Sequence, residues 1–174
     1  MTTYHLNLTE RCNLDCKFCY AKHSMKDMSK EILDKSILEH GKNADEDDGM
    51  HVEFVGRELG LIDPMIINYA INRFENESTK SIETSICSNL AYRLTETQLK
   101  VFKRVDFIST SYDYADIRFR TIKQRLRWFK NIKLLQSLGF DVNCTTMVYK
   151  QLIREVRPQM LFDFMLSTGI KNGN

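Results

Sequence analysis

Strand-like and helix-like segments alternate five times along this chain of 174 residues. Each short run of strand-forming residues is followed by a longer stretch with apolar residues at helical spacing. The strands are predicted at 3–8, 51–55, 82–87, 105–110 and 140–148. Strands separated by helices of this length pair in parallel through right-handed crossovers, and we expect them to be buried on both faces. The alternation therefore predicts an α/β fold on a parallel sheet.

Capping residues and glycines mark where the helices begin and end. The predicted N-caps are Ser29, Asp63 and Thr95. Gly41 and Gly139 are expected to end the first and fourth helices, and Pro158 lies in the first turn of a last helix at about 155–168. The fourth helix, at about 117–138, is predicted to turn the following residues toward the core: Ile122, Leu126, Phe129 and Leu135.

A single domain is predicted to span residues 1–174, because the sequence has no linker and no low-complexity stretch. A hydrophobic content of 43% is enough to bury one core. The closing segment GIKNGN is a turn where a sixth strand would begin, so we expect that strand to be missing or incomplete. An open sheet exposes an edge, which predicts either a truncated chain or a homodimer that covers the edge.

Charge and cysteine usage restrict the cellular setting. The net charge of +2 does not require a nucleic-acid or membrane partner. No apolar run reaches the roughly 18–20 residues of a membrane span, and the N-terminus lacks the apolar stretch of a signal peptide. Five cysteines without an export signal favour metal binding or reactivity over a disulfide framework. We therefore expect a cytoplasmic, reducing location.

Three cysteines lie close together directly after the first predicted strand. Cys12, Cys16 and Cys19 occur in TERCNLDCKFCYA with the spacing C-x3-C-x2-C. Thiolates hold iron–sulfur clusters, normally four of them for a 4Fe–4S cube, and a metal centre with an open position can bind substrate or cofactor directly. The alternatives are a structural zinc site with His23 as its fourth ligand, and free cysteines that meet by coincidence.

This cysteine loop resembles the signature of radical S-adenosylmethionine (radical SAM) enzymes, which fold as a partial (β/α)6 TIM-like barrel. The resemblance implies that Cys12, Cys16 and Cys19 hold an oxygen-sensitive 4Fe–4S cluster, and that Phe18 lies near the adenine of the cosubstrate. It further implies reductive cleavage of S-adenosylmethionine to a 5′-deoxyadenosyl radical. That radical would take a hydrogen atom from a peptide, a protein side chain or a small metabolite. The electron would come from flavodoxin or ferredoxin.

The segment GRELG, at 56–60, follows the second predicted strand and is similar to the Gly-Gly-Glu motif of the same family. Gly56 and Glu58 match the motif, and the resemblance implies that they receive the methionine amino group, which a carboxylate suits. Arg57 replaces the second glycine. Its backbone can make the family's contact if its side chain points away from the ligand.

Later strand ends resemble further cosubstrate contacts of the family. The pattern Ser-x-Asp after the fourth strand resembles the place where a serine and a downstream arginine hold the methionine carboxylate or the ribose. Between the two candidate arginines the sequence makes no choice, and the polar residues after the third strand are equally consistent with a simple turn. The implied contacts are Ser88, Asn89, Ser111, Asp113, Arg118 or Arg120, and Thr145 or Thr146.

The stretch RFRTIKQRLRWFKNIK, at 118–133, carries seven basic residues and no acidic one. The simpler interpretation is an outer helix of the barrel, with Phe119, Trp128 and Phe129 packed inward. The alternative is a zinc-stabilised nucleic-acid-binding module that uses these aromatics for base stacking.

Two functional questions stay open at the level of sequence. A glycyl-radical activase is a third hypothesis, since the chain is short. Cys87 and Cys144 lie in apolar strands and are expected to act as small hydrophobic residues. No residue inside the predicted barrel identifies the substrate.

Overall fold

The computed structural model describes residues 2–21, 24–43, 49–78, 81–113, 118–170 and 172–173. In chain order the elements are β1 (Thr2–Asn7), α1 (Lys30–Asn43), β2 (Met50–Val55), α2 (Pro64–Glu77), β3 (Ile82–Cys87), α3 (Glu96–Phe102), β4 (Phe107–Ser111), α4 (Ile122–Ser137), β5 (Val142–Thr145), α5 (Lys150–Glu155), α6 (Pro158–Ser167) and β6 (Asn172–Gly173). The predicted alternation is confirmed. Within the described ranges, no helix has the length and apolar character needed to cross a membrane.

The six strands form one parallel sheet in the order β1-β2-β3-β4-β5-β6. An order that never reverses is the winding of a barrel, whereas a doubly wound sheet changes direction at a switch point. β1 and β6 lie at the two ends of this order, so the barrel is partial, as expected. β6 pairs with β5 through only two residues, which makes it a short sixth strand.

The hydrophobic core lies between one face of the sheet and the helices. Trp128 of α4 is fully buried, and its indole Nε1–H donates to Thr110 Oγ1 of β4 at 3.0 Å. α2 begins at its predicted cap Asp63. Its predicted apolar stripe is buried and consists of Ile67, Ala70, Ile71 and Phe74. The strand residues in this core include Leu6, Val52, Phe54, Ile86, Ile108, Val142 and Cys144.

The other face of the sheet carries mainly polar residues and is mostly half-buried, so the strands are not fully buried on both faces as expected. The parallel register places His5, Glu53 and Ser85 in one row across β1, β2 and β3. His5 Nδ1 lies 2.7 Å from Glu53 Oε2. Cys87 pairs in register with Ser109, nearer the strand ends, and is only half-buried. We call this surface the open face (His5, Glu53, Ser85, Cys87 and Ser109). Ser85 is fully buried in this row, and Phe107 continues the row on β4.

α4 is shorter than predicted and turns a different side to the core. It begins after the N-cap Thr121, whose side chain forms a capping box with Gln124. Ile122 is 69% exposed and Leu126 is 60% exposed, so two of the four residues predicted to face inward face solvent. The buried side consists of Trp128, Asn131, Ile132 and Leu135. Burial of the indole and its bond to β4 set the rotation of the helix.

Three other element boundaries differ from the predictions. α1 continues through Gly41 to Asn43, so this glycine does not end the helix, whereas Gly139, at φ 82°, does follow α4. The last predicted helix is α6, which begins at Pro158 because Arg157 is extended, as is usual for a residue that precedes proline, and the short helix α5 before it was not predicted. β5 covers only four residues.

The aromatic residues of the basic stretch pack inward, as the outer-helix interpretation expects. Phe119 and Trp128 are 4% and 0% exposed. The ring of Tyr112 lies 4.8 Å from that of Trp128 and 4.5 Å from that of Phe164. Rings held in this cluster offer no platform for nucleic-acid bases, so the nucleic-acid alternative loses its stacking residues.

The observed rotation of α4 predicts opposite outcomes for two leucines on the same helix. Leu135 is fully buried and Leu126 is 60% exposed. We expect Leu135→Ala to lower the free energy of unfolding by about 2–5 kcal/mol, because it leaves a cavity. Leu126→Ala should change it by less than about 0.5 kcal/mol. Urea unfolding followed by the fluorescence of the single tryptophan measures both, and equal losses would contradict the observed rotation.

Candidate active site

A cavity of about 250 Å³ opens at the carboxyl ends of the strands. Ligands of parallel α/β folds collect at this edge of the sheet. The predicted metal ligands Cys12, Cys16 and Cys19 all line it. The other lining residues include Phe18, Gly56, Arg57, Asn89, Arg118 and Met147. The segments that follow β1, β2, β3, β4 and β5 therefore meet at one place.

The cysteine loop is held against the end of β2 by close backbone packing. Arg57 N–H donates to Thr9 O at 3.0 Å. A Cβ at Gly56 would stand 2.9 Å from Thr9 Cγ2 and 3.1 Å from Thr9 O, so only glycine allows this approach. Thr9 in turn donates to Asp27 Oδ1 at 2.6 Å, and Arg11 pairs with Asp27 at 2.7 Å. These contacts set the direction in which the loop leaves β1.

Hydrogen-bond donors and a cation face the sulfur of Cys12. Leu14 N–H donates to Cys12 Sγ at 3.4 Å, and Asn89 Nδ2 lies 3.9 Å from the same sulfur. Burial raises the pKa of Cys12, while the Leu14 N–H and the charge of Arg57 act in the opposite direction. Donors and positive charge of this kind stabilise a thiolate.

Cys16 has a similar environment on the other side of the loop. Its Sγ lies 3.7 Å from Arg118 O. Burial raises the pKa of Cys16, and the Arg118 guanidinium opposes that effect. The same guanidinium lies 5.2 Å from the centre of the Phe18 ring. Arg118 and Phe18 thus form one wall of the cavity.

Three free thiols around one cavity fit an iron–sulfur cluster. Among the described residues, no three His, Cys, Asp or Glu side chains are grouped as a single metal ion would require. His23, the fourth ligand of the zinc alternative, lies outside the described residues. A cube of four irons spaces its thiolates more widely than one ion does. The three cysteines as they stand therefore suit the cluster.

Glu58 is not among the residues that line the cavity, although the sequence predicts a contact with the methionine amino group. Its side chain is fully buried. Oε1 accepts from Gly60 N at 2.8 Å and from Ser88 Oγ at 2.7 Å, and Oε2 accepts from Asn89 N at 2.7 Å. Burial raises its pKa to about 7, against the effect of these donors. Glu58 therefore ties the end of β2 to the end of β3, and Ser88 is engaged in that bond.

The structure distinguishes the two candidate arginines. Arg118 lines the cavity, and its Nε donates to Asp113 Oδ2 at 2.7 Å. Asp113 is fully buried, and its other oxygen accepts from Met147 N at 2.9 Å. Arg120 instead donates to Asp15 O at 3.0 Å and pairs with the Asp15 carboxylate. Asp113 thus joins Arg118 to the segment after β5 through hydrogen bonds to both.

The predicted cosubstrate contacts divide into two groups. The cavity is lined by Phe18, Gly56, Arg57, Asn89 and Arg118. The cavity lining does not include Glu58, Ser88, Ser111, Asp113, Arg120, Thr145 or Thr146. Met147 lines the cavity but was not predicted to do so. Its position after β5 is the one sequence feature that could have indicated it. The open face was also missed, although the alternation of polar residues at His5, His51 and Glu53 marks it.

Comparisons with known proteins were made for the whole chain. Residues 6–156 match the family model described as the Radical SAM superfamily. No curated protein matches the chain. Among solved structures, it is similar to hexahistidine-tagged anSMEcpe with bound AdoMet, with a TM-score of 0.82 and 16% identity over 99% of this chain and 50% of that one.

Two further solved structures are similar. Native anSMEcpe with bound AdoMet and Kp18Cys peptide has a TM-score of 0.83 and 15% identity, covering 99% of this chain and 50% of that one. Streptococcus suis SuiB bound to precursor peptide SuiA has a TM-score of 0.64 and 17% identity, covering 99% and 38%. The chain therefore spans half the length, or less, of these proteins, and the likeness shows a shared fold.

The buried carboxyl of Glu58 predicts a pH-dependent stability. Its pKa is raised from 4.5 to about 7, so between these values the folded state keeps a proton that the unfolded state has released. The free energy of unfolding therefore falls as pH rises through this range. We expect wild type to lose about 2–3 kcal/mol relative to Glu58→Gln between pH 5 and pH 8. Urea unfolding at both pH values measures the difference.

Glu39→Gln is the matched control, because Glu39 is exposed on α1. Its stability relative to wild type should not change with pH. A difference between wild type and Glu58→Gln that stays constant from pH 5 to pH 8 would contradict the titration of Glu58 in this range.

Proposed function

The chain belongs to the radical SAM superfamily of enzymes, and from that premise we propose that it cleaves S-adenosylmethionine reductively. The superfamily's cofactors are a 4Fe–4S cluster and S-adenosylmethionine, as predicted. When bound, they supply the 5′-deoxyadenosyl radical that takes a hydrogen atom from the substrate. The observation that carries this proposal is the meeting of three free cysteines in one cavity at the strand ends, where the Leu14 N–H donates to the sulfur of Cys12.

The residues of the cavity have distinct roles in this proposal. Cys12, Cys16 and Cys19 hold the cluster. Asn89 anchors the loop, because its Nδ2 donates to Asn13 Oδ1 at 2.8 Å and faces the Cys12 sulfur. Phe18 and Arg118 form the wall against which the cosubstrate packs, and Arg118 suits a carboxylate.

For the substrate we propose a peptide or a protein side chain. Support comes from the open face, where the pair of His5 and Glu53 offers a donor and an acceptor to a polar chain. Cys87 and Ser109 lie on the same face nearer the cavity. Two similar proteins, anSMEcpe and SuiB, are described with the bound peptides Kp18Cys and SuiA.

The electron donor in this proposal is a low-potential carrier such as flavodoxin or ferredoxin. Cys19 is the exposed member of the three cysteines, and Tyr20 beside it is fully exposed. This side of the cysteine loop is therefore where a carrier would approach the cluster. A homodimer that covers an exposed sheet edge remains a prediction.

Anaerobic reconstitution tests the proposed function directly. Wild type is loaded with iron and sulfide, reduced with dithionite in the presence of S-adenosylmethionine, and assayed for 5′-deoxyadenosine. We expect product from wild type and none from Cys16→Ala, which removes a cluster ligand. The control Cys144→Ala should retain the cluster, because Cys144 is buried in the core. Failure to form a cluster, together with stoichiometric zinc binding, would favour the zinc-stabilised binding module.

The ion pair of Asp113 and Arg118 gives a second prediction for the same site. Asp113→Asn removes the charge that matches the guanidinium and leaves one acceptor oxygen for two donors, Arg118 Nε and Met147 N, so the fixed position of the guanidinium is weakened. We expect the Kd for S-adenosylmethionine of the reconstituted protein to rise about tenfold, which is about 1.4 kcal/mol. Isothermal titration calorimetry measures it.

Asp163→Asn is the control, since Asp163 lies on α6 and accepts from Gln159 Nε2 at 2.7 Å. An unchanged Kd in Asp113→Asn would exclude Arg118 from binding of the cosubstrate.

A further inference from the structure

Arg57 stands where the family resemblance expects a glycine, and its backbone is held on both sides by the cysteine loop. Its N–H donates to Thr9 O at 3.0 Å, and its carbonyl oxygen lies 3.8 Å from Cys12 Sγ. The residue also lines the cavity. Its guanidinium is therefore carried by a backbone that cannot move without moving Cys12.

The guanidinium of Arg57 has a buried nitrogen that the protein leaves without a partner. Among the described residues, nothing accepts a hydrogen bond from Nη1, and the ion pairs found there do not include Arg57. The adjacent carboxyl of Glu58 is already engaged by three other donors. A buried cation without a partner is costly, so this arrangement calls for an anion in the cavity.

Arg118 provides the contrast. It lines the same cavity, but its charge is matched by the fully buried carboxylate of Asp113 at 2.7 Å. Of the two arginines beside the cysteines, Arg57 therefore contributes the unbalanced positive charge. Arg57 and Cys12 line the same cavity, and Arg57 O lies 3.8 Å from Cys12 Sγ, so a cluster held by Cys12 would be bound beside Arg57.

We propose that Arg57 is a positioning residue for the cluster, and that its guanidinium makes the cluster easier to reduce. The inference rests on the proposed function, because it requires the cluster to be bound by Cys12, Cys16 and Cys19. Each thiolate brings a negative charge, and one-electron reduction by dithionite adds another. A partly buried cation on a residue that lines the same cavity as Cys12 favours the more negative state, since hydrogen bonds, net charge and solvent exposure set the potentials of such clusters.

An EPR-monitored redox titration of the reconstituted protein tests this role without measuring turnover. Arg57→Met replaces the cation with a neutral side chain of similar length, and Arg57→Lys keeps the charge. We expect Arg57→Met to lower the equilibrium constant for one-electron reduction about tenfold, which is a fall of about 59 mV in midpoint potential. Arg57→Lys should stay within about threefold of wild type.

Arg120→Met is the matched control. It makes the same chemical change at Arg120, which was the other candidate arginine for the cosubstrate. The Arg120 side chain is 60% exposed and paired with Asp15. We expect the midpoint potential of Arg120→Met to equal that of wild type, because solvent screens the charge of Arg120.

Each outcome bears on one proposal or the other. If Arg57→Met binds a full cluster with the same midpoint potential as wild type, the proposed role of Arg57 is overturned and the proposed function is unaffected. A wild-type protein that takes up no cluster overturns both. If Arg57→Met and Arg57→Gln lose iron while Arg57→Lys keeps it, the charge is needed to hold the cluster, which supports the inference. Loss of iron in all three variants shows a requirement for shape and overturns it.

Discussion

The buried carboxyl of Glu58 fixes the positions of two segments that line the cavity. Its two oxygens accept from Gly60, Ser88 and Asn89, so one side chain joins the segments that follow β2 and β3. Because those segments also carry Arg57 and Asn89, both residues are held at the cavity beside Cys12. Burial makes the site costly for a carboxylate, and the raised pKa of Glu58, to about 7, is the consequence, although its hydrogen-bond donors and the charge of Arg118 act in the opposite direction.

The electrostatics of the cavity are divided between two arginines. Arg118 is neutralised by Asp113 and is therefore fixed in place, whereas the charge of Arg57 is free to act on a bound anion. The sheet supports this division, because its helix-covered face supplies the core and leaves the open face with polar groups such as His5 and Glu53. The core and the polar groups proposed to meet the substrate thus lie on opposite faces of the same strands.

Local patterns in the sequence determined the architecture and brought out three cysteines as the predicted metal ligands. The alternation of segments predicted five strands in a parallel α/β sheet, because strand and helix preferences act over a few residues, and the family resemblance added the partial barrel. Asp63 and the pair of Thr95 and Gln98 cap their helices as predicted, since a cap bonds within its own turn. The spacing of the three cysteines likewise restricted the chemistry before any fold was known.

Only the tertiary structure decided which side chains reach the cavity. Glu58 turns away from it because Ser88, 30 residues further along, donates to its carboxyl, and Arg118 enters it because Asp113 holds its guanidinium. The rotation of α4 follows Trp128, whose indole donates to Thr110 on β4. In each case the direction of a side chain depends on a partner distant in sequence or brought near by the fold. Spacing and propensity along the chain carry no information about such partners.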